Sequence, residues 1–466
     1  MNSEISSDNV SQQYQRLPQV EKLLQLSFVA PFIEALSRPV VTNQIRDALA
    51  YIRQSEEFKA QGHMCTQNQV NQQIVTRCQA LLKCRQQHVI NATGIAVHTN
   101  LGRSPIQRDV WDAVTEVNTG YCNLELDLAT GKRGMRNGLI PALVQNWIGA
   151  EHTIVVNNNA ASVHLMLMAL AKGKEVIISR GELVQIGGGF RIPDIIAMAG
   201  CTLVEVGTTN ITTADDYLNA VTENTAAVLL VHQSNFSIEG FTSAPDVQEI
   251  ADKLPEHVKL LVDQGSGLSN ESYAQEEKSI RQYLNSGADI VCFSGDKIIG
   301  GPQAGLIVGQ QSLLDKLAKH PMMRAFRPGR ITLSLLEELL VKKLNQVETG
   351  KGIAERVIQA LNEVNQWTYS LVEQWSEFAE LVSVDSQVGG GSIPYERYPN
   401  QGIALTLPGS AQKHLDALRD MPTPIIGYLR RDQLMLNLST VLEHDKPILF
   451  NQLSHYLGNV TQSKSS

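Results

Sequence analysis

Long apolar runs are missing from this 466-residue chain. No segment approaches the ~20 consecutive apolar residues that a membrane-spanning helix requires. The opening stretch MNSEISSDNV is polar and lacks the basic and apolar segments of a secretory leader. A cytoplasmic protein with no membrane partner is therefore expected. Cysteine is scarce too: Cys65, Cys78, Cys84, Cys122, Cys201 and Cys292 are too few to staple a chain of this length, and none forms a CxxC pair. His63, Cys65, Cys78, Cys84 and His88 lie near one another in sequence, but their spacings fit no zinc finger or ribbon. They read as buried or linker thiols and no metal is expected. Nucleotide-binding and hydrolase signatures are also missing. The glycines at 187–189 lack GxGxxG spacing, no GxxxxGK[ST] occurs, and no GxSxG elbow is present.

Charged residues make up only 18% and hydrophobic ones 43%, which excludes a disordered chain and allows a large core. The formal charge of −8 excludes nucleic-acid binding driven by bulk charge. Residues 1–90 carry net +2 and the remainder −10, an asymmetry too mild to establish an RNA partner.

Four regions follow from the patterning. Residues 1–75 read as a helical module: Ile45, Leu49 and Ile52 fall at helical spacing, and Val70, Ile74, Cys78, Leu81 and Leu82 form a second stripe. Between them QGHMCTQNQVNQQ reads as a linker or a helix start, and residues 76–90 as a linker to the next region. From 91 to 335, short apolar runs alternate with helical stretches: TIVVN, EVIIS, TLVEV, AAVLLV, KLLVD, DIVCFS and AGLIVG. Continuous rather than alternating apolar strands are what a mostly parallel sheet covered on both faces requires. The expected fold class is a doubly wound α/β core, in which ligands sit beyond the carboxyl ends of the strands. Residues 336–466 read as a separate α+β unit: a long helix beginning near Thr332, then strands around IALTLP and LMLNLS.

Three strand ends carry chemistry. In FSGDKIIGGPQAG, Lys297 follows a buried run among Gly and Ser residues that let a ligand approach. A desolvated amine there can hold a carbonyl cofactor as a Schiff base; an ordinary surface lysine in a glycine-rich turn is the alternative. Ser294 belongs to the same segment. Asp263 ends KLLVD as a lone carboxylate at the mouth of an apolar strand, a position that calls for a cation such as the protonated pyridine of pyridoxal phosphate. After TIVVN, Asn159 and Ser162 stand at a helix start whose amides and dipole suit a phosphate. Each alone reads equally as a cap or turn residue; together they point to one site. Arg324, Arg327 and Arg330 repeat every third residue and Arg103 sits in HTNLGRSP; brought together they would cage a tetrahedral oxyanion, and apart they are solvated or ion-paired.

Whole segments then resemble one family. INATGIAVHTNLGRSP, NLELDLATGKRG, VVNNNAASV, SRGELVQIGGGFRIPDI, EVGTTN, VHQSNFSIEGFT, DQGSG and FSGDKIIGGPQAG are similar to the motifs of bacterial selenocysteine synthases, the L-seryl-tRNA(Sec) selenium transferases. The likeness runs from LPQVEKLL to PIIGYLRRDQLMLNL. It implies a fold-type I pyridoxal 5'-phosphate enzyme, a small N-terminal domain that holds the tRNA, and a homodecamer built as a pentamer of dimers. By position it implies Lys297 as the Schiff-base lysine and α-proton base, with a lowered pKa. Arg103, Arg324 and Arg327 become the residues holding selenophosphate, Asn235 a contact to the cofactor's 3-hydroxyl, and Asp296 a motif member without an assigned role. The implied reaction removes the β-hydroxyl of seryl-tRNA(Sec) to give aminoacrylyl-tRNA and then adds selenium. A pyridoxal phosphate lyase for a free amino acid or amino sugar, and a silent RNA-binding scaffold, are the rival readings. The sequence departs from the family pattern at Gln185, at MRNGLIP (Met135 to Pro141), at Pro328 to Arg330, and at Asn437 to Thr440, where substrate or tRNA contacts come into question.

Overall fold

The computed structural model describes residues 15–186, 189–232, 238, 240–269, 271, 273–274, 277–389, 393 and 396–462. The chain divides into two compact units, residues 1–89 and 90–466.

In the first unit, helices Val20–Leu24, Ala30–Leu36, Arg38–Gln54, Glu56–Ala60 and Gln67–Cys84 surround a core that includes Val41, Ile45, Leu49, Val70, Ile74 and Cys78. The last helix starts at a capping box: the Gln69 amide donates to the Thr66 hydroxyl, and the Gln69 side chain accepts from the Thr66 amide at 2.8 Å. This helix corrects the expected boundary at 75 and the expected linker from 76. It runs unbroken to Cys84, because Cys78 continues the buried stripe of Val70 and Ile74. Cys65 and Cys78 are core residues and the Cys84 thiol donates to the Ala80 carbonyl, so the thiols serve packing and local bonding.

The second unit is built on a seven-stranded sheet. Its strands are β1 (His152–Val156), β2 (Glu175–Ser179), β3 (Thr202–Val206), β4 (Thr225–Val231), β5 (Lys259–Gly265), β6 (Ile290–Ser294) and β7 (Gly305–Gly309). They lie in the order β1-β7-β6-β5-β4-β2-β3. All pairings are parallel except those of β7, which runs antiparallel to β1 and β6. Successive side chains of a strand enter opposite cores: Val155, Val228, Leu230, Leu260 and Val262 pack on one face, Ile154, Val156, Leu229, Val231 and Leu261 on the other. Burial of both faces is why these runs are apolar throughout.

Helix α1 (Asn159–Leu170) leaves the carboxyl end of β1, and α2 (Arg330–Leu344) covers one face through Leu333, Leu336 and Leu340. The expected boundary at 335/336 falls inside α2, which belongs with the sheet because its apolar stripe is part of that core. A four-stranded antiparallel sheet follows, β8 (Ala379–Ser386), β9 (Tyr398–Leu405), β10 (Tyr428–Arg430) and β11 (Gln433–Leu436), in the order β8-β9-β11-β10. Among the described residues, no helix is long and apolar enough to cross a membrane.

Candidate active site

The carboxyl ends of β4, β5 and β6 and the start of α1 converge on a cavity of about 310 Å³. Asp263, on β5, pairs in register with Val231 of β4, and the His232 amide donates to the Asp263 carbonyl at 2.9 Å. Lys297 follows β6 by three residues. Its loop is fastened by Ser104, whose hydroxyl donates to the Lys297 carbonyl at 2.6 Å and whose amide donates to the Asp296 carbonyl at 3.3 Å. Gly300, at φ +82, closes the turn: a β-carbon there would meet the Gly352 α-carbon at 2.9 Å. Lys297, Asp263, Asn159, Ser294, Asp296 and Arg103 all line the cavity.

The Asp263 carboxylate is 4% exposed. Asn159 Nδ2 donates to its Oδ1 at 2.7 Å, and the buried Cys292 thiol reaches the same oxygen at 3.7 Å. Both contacts fall on Oδ1, so Oδ2 is the oxygen available to a cation. Burial raises the Asp263 pKa, opposed by the Asn159 bond and by the charge of Lys297. Burial lowers the Lys297 amine from its ordinary value; the Asp263 carboxylate opposes this and the Arg103 charge adds to it. That is the direction a proton-accepting lysine needs.

Arg103 sits at φ +64, a conformation that L residues rarely adopt. Its Nη1 donates to Asp296 Oδ2 at 2.6 Å, and its amide donates to the His98 carbonyl at 2.9 Å. Asp296, whose role the motif left open, is thus the buried partner that holds Arg103 at the cavity.

Several expected residues stand elsewhere. Asn158, not Asn159, caps α1, its side chain accepting from the Ala161 amide at 2.8 Å. Asn159 instead serves Asp263. Ser162 is fully buried and does not line the cavity: it packs where β7 begins, so that a β-carbon on Gly305 would meet its Oγ at 2.2 Å. The residues at the first turn that do line the cavity are Asn158, Asn159 and Ala160. Asn235 lies outside the described residues.

The arginines of the expected cage are divided, Arg103 lining the cavity with Lys297 and the others lying apart from it. Arg324 and Arg327 line a second cavity of about 360 Å³ with Arg133, Arg136 and Glu125. Glu125 pairs with Arg133 at 2.9 Å, Arg136 at 3.3 Å and Arg327 at 3.7 Å. Arg330 opens α2 and donates to the carbonyls of Gly120 and Asn118 at 2.8 and 2.9 Å, because the start of that helix packs on this loop.

The segments that depart from the family pattern divide similarly. Asn437 to Thr440 are buried: Asn437 donates to the Asp385 carbonyl, Ser386 Oγ donates to Ser439 Oγ at 2.6 Å, and Thr440 Oγ1 donates to the Asn91 carbonyl at 2.9 Å. They bind strands together rather than offering a surface. Gln185 is exposed and accepts from Arg191 Nε, while Met135, Arg136, Asn137 and Pro328 line the second cavity. His232, Cys292 and Gln303 were not singled out from the sequence. Only position past a strand end pointed to His232, and nothing local marked the other two.

Comparisons with known proteins follow the same line. A family model described as L-seryl-tRNA selenium transferase matches residues 89–442, and one described as selenocysteine synthase N terminal matches residues 14–53. The L-seryl-tRNA(Sec) selenium transferase of Geobacter sulfurreducens is 38% identical over 94% of this chain and 98% of its own length. That of Clostridium botulinum is 37% identical over 95% and 98%. Among solved structures, a D-glucosaminate-6-phosphate ammonia-lyase superposes with a TM-score of 0.58 at 20% identity, over 82% of this chain and 98% of that one; at this identity the likeness is one of fold.

Proposed function

The chain belongs to the L-seryl-tRNA selenium transferase family, and on that premise we propose that it converts L-seryl-tRNA(Sec) to L-selenocysteinyl-tRNA(Sec). Selenophosphate is the selenium donor and pyridoxal 5'-phosphate the cofactor. The observation that carries this reading is the meeting of Lys297 and Asp263 in one cavity at the carboxyl ends of neighbouring parallel strands.

The residues present fit that cofactor. Lys297 offers the amine for its aldehyde, and Asp263 offers Oδ2 to a protonated ring nitrogen. The residues of the first turn of α1 that line the cavity, whose amides have no intrahelical acceptor, suit a phosphate. Asn159 and Cys292 steady Asp263 from the far side, and Ser294 borders the same space. Bound there, pyridoxal phosphate supplies an electron sink that acidifies the α-proton of the seryl group. Lys297, whose amine burial pulls down from its ordinary value, is placed to accept that proton and to return one after the β-substituent has been exchanged. Arg103, fixed by Asp296 at the cavity, would offer a guanidinium to an anionic selenium donor. Arg324 and Arg327 join that task only if a second copy of the chain or a rearrangement brings their cavity to Arg103. An assembly of such copies, up to the decamer, belongs to this reading, as does a cytoplasmic location.

Purified protein supplied with pyridoxal phosphate, selenophosphate and seryl-tRNA(Sec) is expected to form selenocysteinyl-tRNA(Sec), and Lys297→Ala to form none. Turnover of free serine or of an amino-sugar phosphate in place of the aminoacyl-tRNA would favour the lyase reading. A protein that binds the tRNA but takes up no cofactor would favour the scaffold.

A further inference from the structure

One wall of the Lys297 cavity is an imidazole. His232 follows the last residue of β4, lines the cavity beside Asp263, and is largely buried. Its Nε2 lies 3.5 Å from Oε2 of Glu277, whose side chain is only 7% exposed. Neither carboxyl oxygen of Glu277 has a hydrogen bond that meets normal geometry, and neither does His232 Nδ1. Two buried polar groups this close, without a well-formed hydrogen bond, are costly unless they share a proton.

We propose that Glu277 and His232 form an uncharged donor–acceptor pair, the Glu277 carboxyl donating to Nε2, which holds the imidazole as a fixed wall of the cavity toward the cofactor ring. Glu277 is then a positioning residue acting through His232. The inference rests on the cofactor reading above.

The charge environment agrees. Burial pushes Glu277 up to about 8, with the charge of Glu396 adding to it. Burial pushes His232 down to about 4; the charge of Lys297 adds to this and the backbone carbonyl of Gln264 opposes it. Between those limits the carboxyl keeps its proton and the ring stays neutral, so the pair is uncharged over the physiological range. With Nε2 as acceptor, the ring proton sits on Nδ1. A neutral ring also avoids placing a second cation next to Lys297. Nearby, Glu182 accepts from the Val231 amide at 3.0 Å and is itself pushed up to about 8, so the test must separate the two acids.

The test is the circular dichroism of the bound cofactor band, which reports how the ring is held. Glu277→Ala is expected to lower it at least twofold while the melting temperature of the cofactor-free protein stays within about 2 °C. Glu277→Gln restores the signal at pH 7, since its amide donates to Nε2. The unchanged protein loses the signal as pH rises through about 8, and Glu277→Gln does not. An identical pH course in the unchanged protein and Glu277→Gln overturns the proposal and assigns the transition to another acid such as Glu182. The same holds for an undiminished signal in folded Glu277→Ala. Should Glu277→Ala fail to fold, the Gln comparison decides alone. Lys297→Ala separates the two levels: if the unchanged protein has no cofactor band for that variant to abolish, the cofactor reading fails. A band insensitive to Glu277 defeats only this inference.

Discussion

Lys297 and Asp263 were legible from sequence because their meaning comes from position: each follows an apolar run whose burial on both faces fixes where its carboxyl end points. Asn159 was legible as a place and not as a partner, since its bond to Asp263 joins residues 104 apart. Cys292 looks like any core thiol until β6 pairs with β5 and brings it to the same carboxylate. Glu182 was equally silent. Its carboxyl accepts from the Val231 amide and from the Tyr217 hydroxyl, and burial pushes it up to about 8. The folded protein therefore keeps a proton that the unfolded chain releases above the ordinary carboxylate range. The stability this contributes is full at acid pH and is lost as pH rises through about 8. Melting temperatures of the cofactor-free protein are expected to fall from the ordinary carboxylate range up to about pH 8, and Glu182→Gln, which cannot ionise, to flatten that slope. An unchanged slope would mean that Glu182 is already ionised at neutral pH.

At the scale of the element, the strands fell within a residue or two of their apolar runs, because no other arrangement buries such runs on both faces. The reversed direction of β7 was not legible: AGLIVG reads alike in either orientation, and only the short 295–304 connection after β6 forces the turn back. Helix ends were harder. Gln67–Cys84 runs past the expected boundary at 75, in line with the stripe of Cys78, Leu81 and Leu82 read beyond it. The join of β7 to α1 has a sharper consequence. A β-carbon on Gly305 would meet Ser162 Oγ at 2.2 Å and the Asn158 carbonyl at 2.3 Å, so Gly305→Ala must push the first turn of α1 away from β7. Overpacking of this kind costs about 1–3 kcal/mol. Because Asn158 and Asn159 move with that turn, cofactor affinity is expected to fall along with the melting temperature. Retained affinity in a destabilised variant would detach the start of α1 from the site.

For the whole molecule, the chain divides at Val89 into two units whose contributions can be tested separately. A cut at residue 75 would split the Gln67–Cys84 helix and strand Cys78 without Val70 and Ile74, so the informative truncation removes residues 1–89. The remaining chain is expected to fold and take up cofactor as before while losing most of its affinity for the tRNA. Equal loss of both would make the first unit a structural support. The arginines show what a single sequence does not disclose at this scale. A shared hold by Arg103, Arg324 and Arg327 was expected from the family resemblance, whereas residue type alone read equally as ion pairs; Glu125 gathers Arg133, Arg136 and Arg327 in a cavity that Arg103 does not line.

The proposed reaction presupposes that the amine at 297 carries the cofactor. Borohydride reduction of the protein mixed with pyridoxal phosphate, followed by peptide mass mapping, tests that directly. The expected result is one reduced pyridoxyl group on the peptide containing Lys297, absent from Lys297→Ala. Labelling confined to other lysines, or none at all, would contradict the account.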